Sequence, residues 1–526
     1  MKKTLIAAAV AAATIPVAAT AQNGTVFSAP NGEGQVLLFP YYSATDGNNT
    51  FFQVANTTSR AKVIKIRVRE GVESEDVLDW QVYLSPYDYW VARITASTDT
   101  ATVPPNVFTP DSSCTVPTLS SEPLRDNRIP SSYTGNVNIR MAEGHIEVYE
   151  LFTFDDITDS TVLDLWDSIN HVSGVPLNCD AAIAFNANQT DPILVPGTYN
   201  RGGVSALLDD PTGGLWGHAA VFNPADGTWF SYEAEALINF AGDPIFWPQN
   251  GRAALNAANY TADEVLLANP SAPLNFDLPD ISTPGYSGGT AAVDQAGVVV
   301  VAAQPSILTV TADGGTEPQQ QRDLVSAAIL SSNVANEYLS GPDWGTDWVF
   351  TFPGRYAYRT PDVSGLVDPL TEGYELTGPF GVSVSRLTGE GCVPVNVSGV
   401  SADADGNVYA IYGREEESAT SNDIDFSPGT FEGFSLCFEV NVIGVNDGAA
   451  DNIGPSATLQ SRAIFKNLGS PFNFGWVNAG LTQSFTEVTP DMIGLPFIGF
   501  AAITDNRTDV KRGGAFSHSL RRGRTN

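Results

Sequence analysis

Lysine is what this chain most conspicuously lacks: none occurs between Lys65 and Lys466. Lys and Arg together number 26 against 59 Asp and Glu, a formal charge of −33. Nucleic acid is excluded as a partner by that sign, because phosphate contacts need clustered cations. Charge of either sign is scarce as well, at 16% of residues against roughly 25% in typical globular proteins. Much of the surface is therefore left to Ser, Thr, Asn and Gly, and diffuse acid excess of this kind keeps a protein soluble. The four histidines stand singly with no His-Glu-x-x-His, and the four cysteines include no Cys-x-x-Cys pair, so zinc-site spacing is missing. After the first 21 residues no run is both apolar enough and long enough to make the roughly 20-residue helix that spans a membrane.

The N-terminus carries an export signature. Lys2 and Lys3 precede an uncharged run from Leu5 to Ala18, and Ala19-Thr20-Ala21 gives a small-x-small cleavage site before Gln22. No cysteine follows the site to carry a lipid anchor. The expected location is the cell surface, the exterior or the periplasm. In an oxidising compartment four cysteines imply disulfides, and Cys114 with Cys179 and Cys392 with Cys437 each close a loop within one candidate domain.

Period-two alternation gives the fold class. In Val63–Arg69 the residues Ile64, Ile66 and Val68 share one face and Lys65, Arg67 and Arg69 the other. Leu78–Ser85 and Leu436–Ile443 alternate in the same way, while Val298–Val301 is apolar throughout, as in a strand covered on both faces. Asp-Gly pairs at Asp46, Asp226, Asp313, Asp405 and Asp447 suit tight hairpin turns. Helical pattern is confined to Thr161–Val172 and Arg322–Leu339. The expectation is a mainly β protein of several antiparallel β-sandwich domains, Ig-like or jelly-roll-like, with one or two short helices. Boundaries follow composition: a signal peptide at 1–21, an N-terminal sandwich at 22–250, a middle β-rich region with a helix at 251–375, a C-terminal sandwich at 376–510 and a basic tail at 511–526. The tail, with Lys511, Arg512, Arg521, Arg522 and Arg524, reads as a frayed solubilising terminus, the alternative being a dock for lipopolysaccharide phosphates or for a neighbouring subunit.

The stretches Gly34-Gln35-Val36-Leu37-Leu38-Phe39-Pro40-Tyr41-Tyr42, Val54-Ala55-Asn56-Thr57-Thr58, Leu84-Ser85-Pro86-Tyr87-Asp88 and Thr346-Asp347-Trp348-Val349-Phe350-Thr351-Phe352-Pro353 resemble segments of uncharacterised exported β-sandwich proteins of proteobacteria. The resemblance implies that fold and a Gram-negative envelope, and brings no activity, ligand or site residue.

Candidate chemistry is thin. Gly285-Tyr286-Ser287-Gly288-Gly289 has the spacing of a nucleophile elbow, but Pro284 stands where the elbow needs a strand. Asp403, Asp405 and Asn407 set three oxygen ligands at alternate positions for calcium, yet Arg414 stands where an EF-hand needs glutamate. Tyr83, Tyr87, Tyr89 and Trp90, or Trp344 and Trp348, would make a sugar-stacking platform if their rings were exposed together. The Lys65, Arg67 and Arg69 stripe reads as a solvated sheet face, paired with acids such as Glu73, Glu75 and Asp76. With no catalytic or cofactor set, the sequence reads as a non-enzymatic structural, adhesive or matrix-type surface protein that self-associates, its segment Gln22–Gly34 completing a neighbour's sheet. The alternative is a carbohydrate-binding or carbohydrate-active exported protein whose carboxylates come from separate strands.

Overall fold

In the computed structural model the described residues are 26–249, 279–282 and 311–525, less 97–100, 131–132, 155–159, 189–207, 313–316, 361–373, 385–392, 396–408, 415–417, 421–433, 448–453, 508–510 and a few isolated positions. Outside the described residues lie the export segment, the Val298–Val301 run, the turns at Asp313 and Asp405, Cys392, the glycine-rich stretch around Ser287, and the calcium candidate Asp403, Asp405 and Asn407.

Alternation in the N-terminal half builds two antiparallel sheets. One has seven strands in the order Phe27–Ser28, Glu235–Ile238, Val36–Ser43, Glu143–Phe154, Ala61–Glu70, Asp76–Leu84 and Cys114–Val116. The other has six, in the order Thr228–Glu233, Leu215–Asn223, Asn49–Asn56, Tyr89–Thr95, Asn106–Phe108 and Ser121–Pro123. Their facing side chains, among them Phe39, Ile64, Ile66, Trp80, Phe52, Trp90 and Val221, form one core. Trp80 and Trp90 meet across it with ring centroids 5.8 Å apart. Gly144 is required where the long central strand bends, because a Cβ there would come within 1.9 Å of the Arg69 carbonyl oxygen.

A second sandwich follows. Leu330–Leu339, Phe474–Gly480 and Tyr409–Gly413 belong to one sheet, and Val440–Val445, Trp344–Thr351 and Phe500–Asp505 to the other. One pairing is parallel, Val440–Val445 with Phe465–Leu468, reached by a crossover through residues 456–463. Val349, Val442, Phe500 and Ala502 face away from their own sandwich and join the first core, so the two sandwiches share apolar contact. The α-helices among the described residues are Val137–Met141, Ser160–Ile169, Asp180–Asn188 and Glu317–Ala328. The last three pack Leu165, Ile169, Phe185, Leu324 and Val325 against the outer face of the seven-stranded sheet.

Several expectations are corrected. Only Glu317–Ala328 is helical where a helix was expected to Leu339, because Val334 and Tyr338 turn the alternating stretch after it into a core strand. Leu436–Ile443 is not one strand: Asn441 accepts the Cys437 and Phe438 N–H groups at 2.8 and 2.9 Å and donates to the Phe438 carbonyl, which holds a bend between Phe434–Leu436 and Val440–Val445. The basic tail is not frayed, for Arg512–Ser517 pairs with Phe500–Asp505 and Ser519–Arg522 with Leu330–Leu339. Within the N-terminal segment Phe27 and Ser28 pair with Ile238 and Leu237 of the same chain, as the edge strand of the seven-stranded sheet. The disulfide Cys114–Cys179 forms as expected, with Cα atoms 5.2 Å apart, and Cys437 is disulfide-bonded as well.

Candidate functional site

The stripe Lys65, Arg67 and Arg69 was expected in water and is buried, all three being 1–2% exposed. Alternation does place it on the face opposite Ile64, Ile66 and Val68. That face, however, is roofed by residues 279–282 and 355–359, whose polar atoms take up part of the charge. Arg67 donates to Asp76 Oδ2 through Nε at 2.9 Å and Nη2 at 2.5 Å, and to the Pro279 carbonyl at 2.9 Å. Arg69 donates to Glu147 Oε2 at 2.8 Å, to the Ser74 carbonyl at 2.8 Å and to the Tyr356 hydroxyl at 3.1 Å, with its guanidinium over the Tyr356 ring. Lys65 pairs with Asp79.

The layer continues around the turn after Glu70. Arg140 donates to both Glu70 oxygens at 2.9 Å and to Glu73 at 3.0 Å. Glu70 also accepts the N–H groups of Val72, Glu73 and Glu75, which fixes the turn. Arg359 reaches the Glu73 carbonyl and, at 3.2 Å, Glu75. Burial pushes the carboxyls of Glu70 and Asp76 up, but Arg140 and Arg67 respectively outweigh it and hold both below their usual range. Burial likewise opposes ionisation of Glu147, yet Arg69 and His145 bring it down to about 2.

A second group of acids marks the junction of the sandwiches. Glu143 accepts the Arg462 and Ala463 N–H groups at 2.9 Å on one oxygen and the Tyr41 hydroxyl at 2.8 Å on the other. Asp347 accepts the Ser456 hydroxyl at 2.5 Å and the Leu459 N–H at 2.7 Å. Both acids thus hold the 456–463 crossover, which also receives hydrogen bonds from Asn48 to the Leu459 carbonyl and from Thr45 to that of Gln460. Glu439 lies 3.5 Å from Arg359 and 3.8 Å from Arg355, beyond good hydrogen-bond reach. Burial pushes Asp347 up to about 7 against its hydrogen bonds, Glu439 to about 8 against the two arginines, and raises Glu143.

Chemically, these groups brace. The guanidiniums are committed to carboxylates and carbonyls, and the side chains of Lys62, Arg140, Glu70, Glu147 and Glu150 are fully withdrawn from solvent, so incoming substrate cannot touch them. One surface trio has the composition of a catalytic triad, and sequence reasoning passed over it: Ser85, His171 and Asp88. Ser85 Oγ lies 3.1 Å and Asp88 Oδ2 3.8 Å from the same nitrogen, Nδ1 of His171. A triad needs the serine on one ring nitrogen and the acid on the other. Asp88 instead accepts the Ser85 N–H and the Ser113 hydroxyl, which makes the trio a turn brace. The other histidines are dispersed, His145 on Glu147, His218 stacked on Trp216, and His518 buried against Phe350 with its pKa lowered to about 4 by burial. Among the described residues no group of three or more His, Cys, Asp or Glu side chains is placed to hold a metal ion.

The aromatic candidates divide by strand alternation. Tyr83, Trp90 and Trp348 are buried in cores, while Tyr87 and Tyr89 are exposed and Trp344 sits half-buried beneath Arg507. The surface that sequence reasoning missed is the outer face of the six-stranded sheet. Leu215–Asn223 turns Trp216, His218 and Phe222 outward, and Thr228–Glu233 adds Trp229. The signal was present, since large aromatics occupy the alternate positions that water would take.

No protein-family model, no curated protein and no solved structure matches this chain. Among the described residues no helix is long and apolar enough to cross a membrane.

Proposed function

We propose that this protein is a non-enzymatic structural, adhesive or matrix-type component exported to the surface or periplasm of a proteobacterial-type envelope. The observation that carries the reading is the spending of buried charge on joining parts of the fold. Arg69, Arg359, Glu143 and Asp347 each connect segments far apart in the chain; three are buried, and the side chain of Arg359 is only 6% exposed. Such a body is suited to bearing load and presenting a surface. The Cys114–Cys179 bond supports an oxidising location. Cell fractionation combined with imaging of the labelled native surface tests the proposal. Protein in the envelope or the external matrix is the expected result, and protein confined to the cytosol with reduced cysteines would overturn it.

One observation favours the second reading, carbohydrate binding. Trp216 and Tyr89 are both paired with Ala55, one on each side, so their Cα atoms lie about 10 Å apart across two strand spacings. The gap over Ala55 is long enough for a sugar unit, and Gln53, bonded to the Tyr89 hydroxyl, supplies a polar group beside it. Retention on insoluble polysaccharide, abolished in Trp216→Ala, is the outcome that would move the assignment to this class.

A further inference from the structure

Two apolar patches remain on the surface of the first sandwich, at opposite ends of its strands. The first is the hairpin His171–Pro176, where Val172 pairs with Val175 across a turn whose Ser173 and Gly174 both have positive φ. Val172, Val175 and Leu177 are 56%, 53% and 64% exposed. A two-stranded hairpin alone has little stability in water. This one is tied down by Cys114–Cys179 just beyond it, by Ser112 bonded to the Gly174 carbonyl and by His171 bonded to Ser85. Its apolar tip is therefore held in solvent by the fold.

The second patch is the stacked pair Phe222 and Trp229, with ring centroids 5.2 Å apart, on either side of the turn that exposes Pro224 and Ala225. Register fixes the separation. Phe222 pairs with Asn49, which pairs with Thr95, whereas the hairpin contacts the turn just before Tyr89, six residues back along the same strand. The patches thus lie about 20 Å apart along the strands.

Charge selects the occupant. Two copies of a chain with 59 acids against 26 bases repel over most of their surfaces. The segment that carries the hairpin holds Asp164, Asp167 and Asp180 exposed and no Lys or Arg between Arg140 and Arg201. Around the Phe222 turn the scarce cations gather: Lys511 bonds to Asp226, Arg462 to Asp46, whose carbonyl accepts from Asn223, and Arg512 is exposed next in sequence to Lys511. At this end the acids Asp226, Asp46 and Asp505 are each neutralised by an adjacent cation, so it is the aromatic surface that repels an acidic apolar tip least.

We infer that the Val172–Val175 hairpin of one copy docks on the Phe222–Trp229 end of the next, giving head-to-tail assembly. Because the two patches differ, each added copy leaves one of each kind free, and the contact propagates into a fibre or a ring. So small a tip makes a weak pairwise contact, and assembly should accordingly appear only at high protein concentration. The inference rests on the structural-protein reading.

The test uses the mature, disulfide-intact chain in light scattering and negative-stain electron microscopy across protein concentration and sodium chloride. Mass should rise with concentration without stopping at a dimer, and rise further as salt screens the overall repulsion. Val175→Glu and Trp229→Glu, both at exposed positions and checked for unchanged circular dichroism, should each weaken assembly about a hundredfold. An equimolar mixture of the two variants should recover dimers and nothing longer, since each pair retains one intact tip and one intact aromatic end. Wild-type protein that stays monomeric throughout overturns the inference. Fibres that persist in both single variants overturn the hairpin route yet leave the structural reading standing, whereas cytosolic location sinks that reading whatever the purified protein does.

Discussion

Glu70, Asp76 and Glu147, on or beside the seven-stranded sheet, each hydrogen-bond a guanidinium, whereas Glu143, Asp347 and Glu439, where the second sandwich meets the first, accept hydroxyls and backbone N–H groups or face arginines too distant to bond. The two sets are equally buried but respond oppositely. Members of the first stay ionised and are held low, while members of the second are raised. Burying an ion pair gains little net free energy, but removing one partner costs much. A carboxyl held by N–H groups can instead pick up a proton and keep its hydrogen bonds. The sheet's charges thus make it intolerant of substitution, and the junction's make it sensitive to pH.

The largest effect should come from breaking the first set. Arg140→Met leaves Glu70 and Glu73 buried without their shared cation and should destabilise by about 5 kcal/mol, read from denaturant midpoints. A loss below about 1 kcal/mol would mean that the carboxylates find water or protons, and that the two sets are not distinct.

The second set should set the pH profile. For Asp347 and Glu439 the folded-state values, about 7 and about 8, lie above the unfolded ones near 4. Their contribution to stability is complete below about pH 4 and is lost as pH rises through 7 to 8. Glu70, Asp76 and Glu147 run the other way, contributing above about pH 4 and losing that contribution as pH falls below it. Thermal midpoints should therefore peak in mildly acidic solution and decline towards pH 9 by the equivalent of a few kcal/mol. Asp347→Asn should flatten the alkaline limb alone. A midpoint constant from pH 5 to 9, or one that Asp347→Asn leaves unaltered in shape, would remove the contrast.

How much of this was legible in the sequence differs between the same two sets. Alternation from Val63 to Arg69 located the strand and put Lys65, Arg67 and Arg69 on one face, and the nearby acids named for them include Asp76, which Arg67 does bind. What no local pattern carried is the roof, because Pro279 and Tyr356 come from 212 and 287 residues further on. A charged strand face under a cover built by distant segments looks the same in sequence as one facing water. The cysteine loop was readable because both ends of Cys114–Cys179 lie in one half of the chain. The helix that stops at Ala328 was over-extended because Leu330–Leu339 carries apolar residues at spacings that serve either period. Glu143 and Asp347 left no local signal, since their hydroxyl partners Tyr41 and Ser456 lie about a hundred residues away in the chain and their other partners are backbone N–H groups of a crossover that any residues could supply.

The smallest effect sharpens the contrast most. Glu143→Gln keeps one carbonyl oxygen for the Arg462 and Ala463 N–H groups and turns an NH2 group towards the Tyr41 hydroxyl, which can accept as readily as donate. Charge is what burial disfavours at this position, so the amide should cost less than about 1 kcal/mol near pH 5 and cost nothing or stabilise at pH 8 to 9. Glu147→Gln, equally buried, abolishes the counter-charge of Arg69 and should cost several times more at both pH values. Equal losses in the two variants would show that the carboxylates are held alike, in which case the junction owes its pH response to some other group.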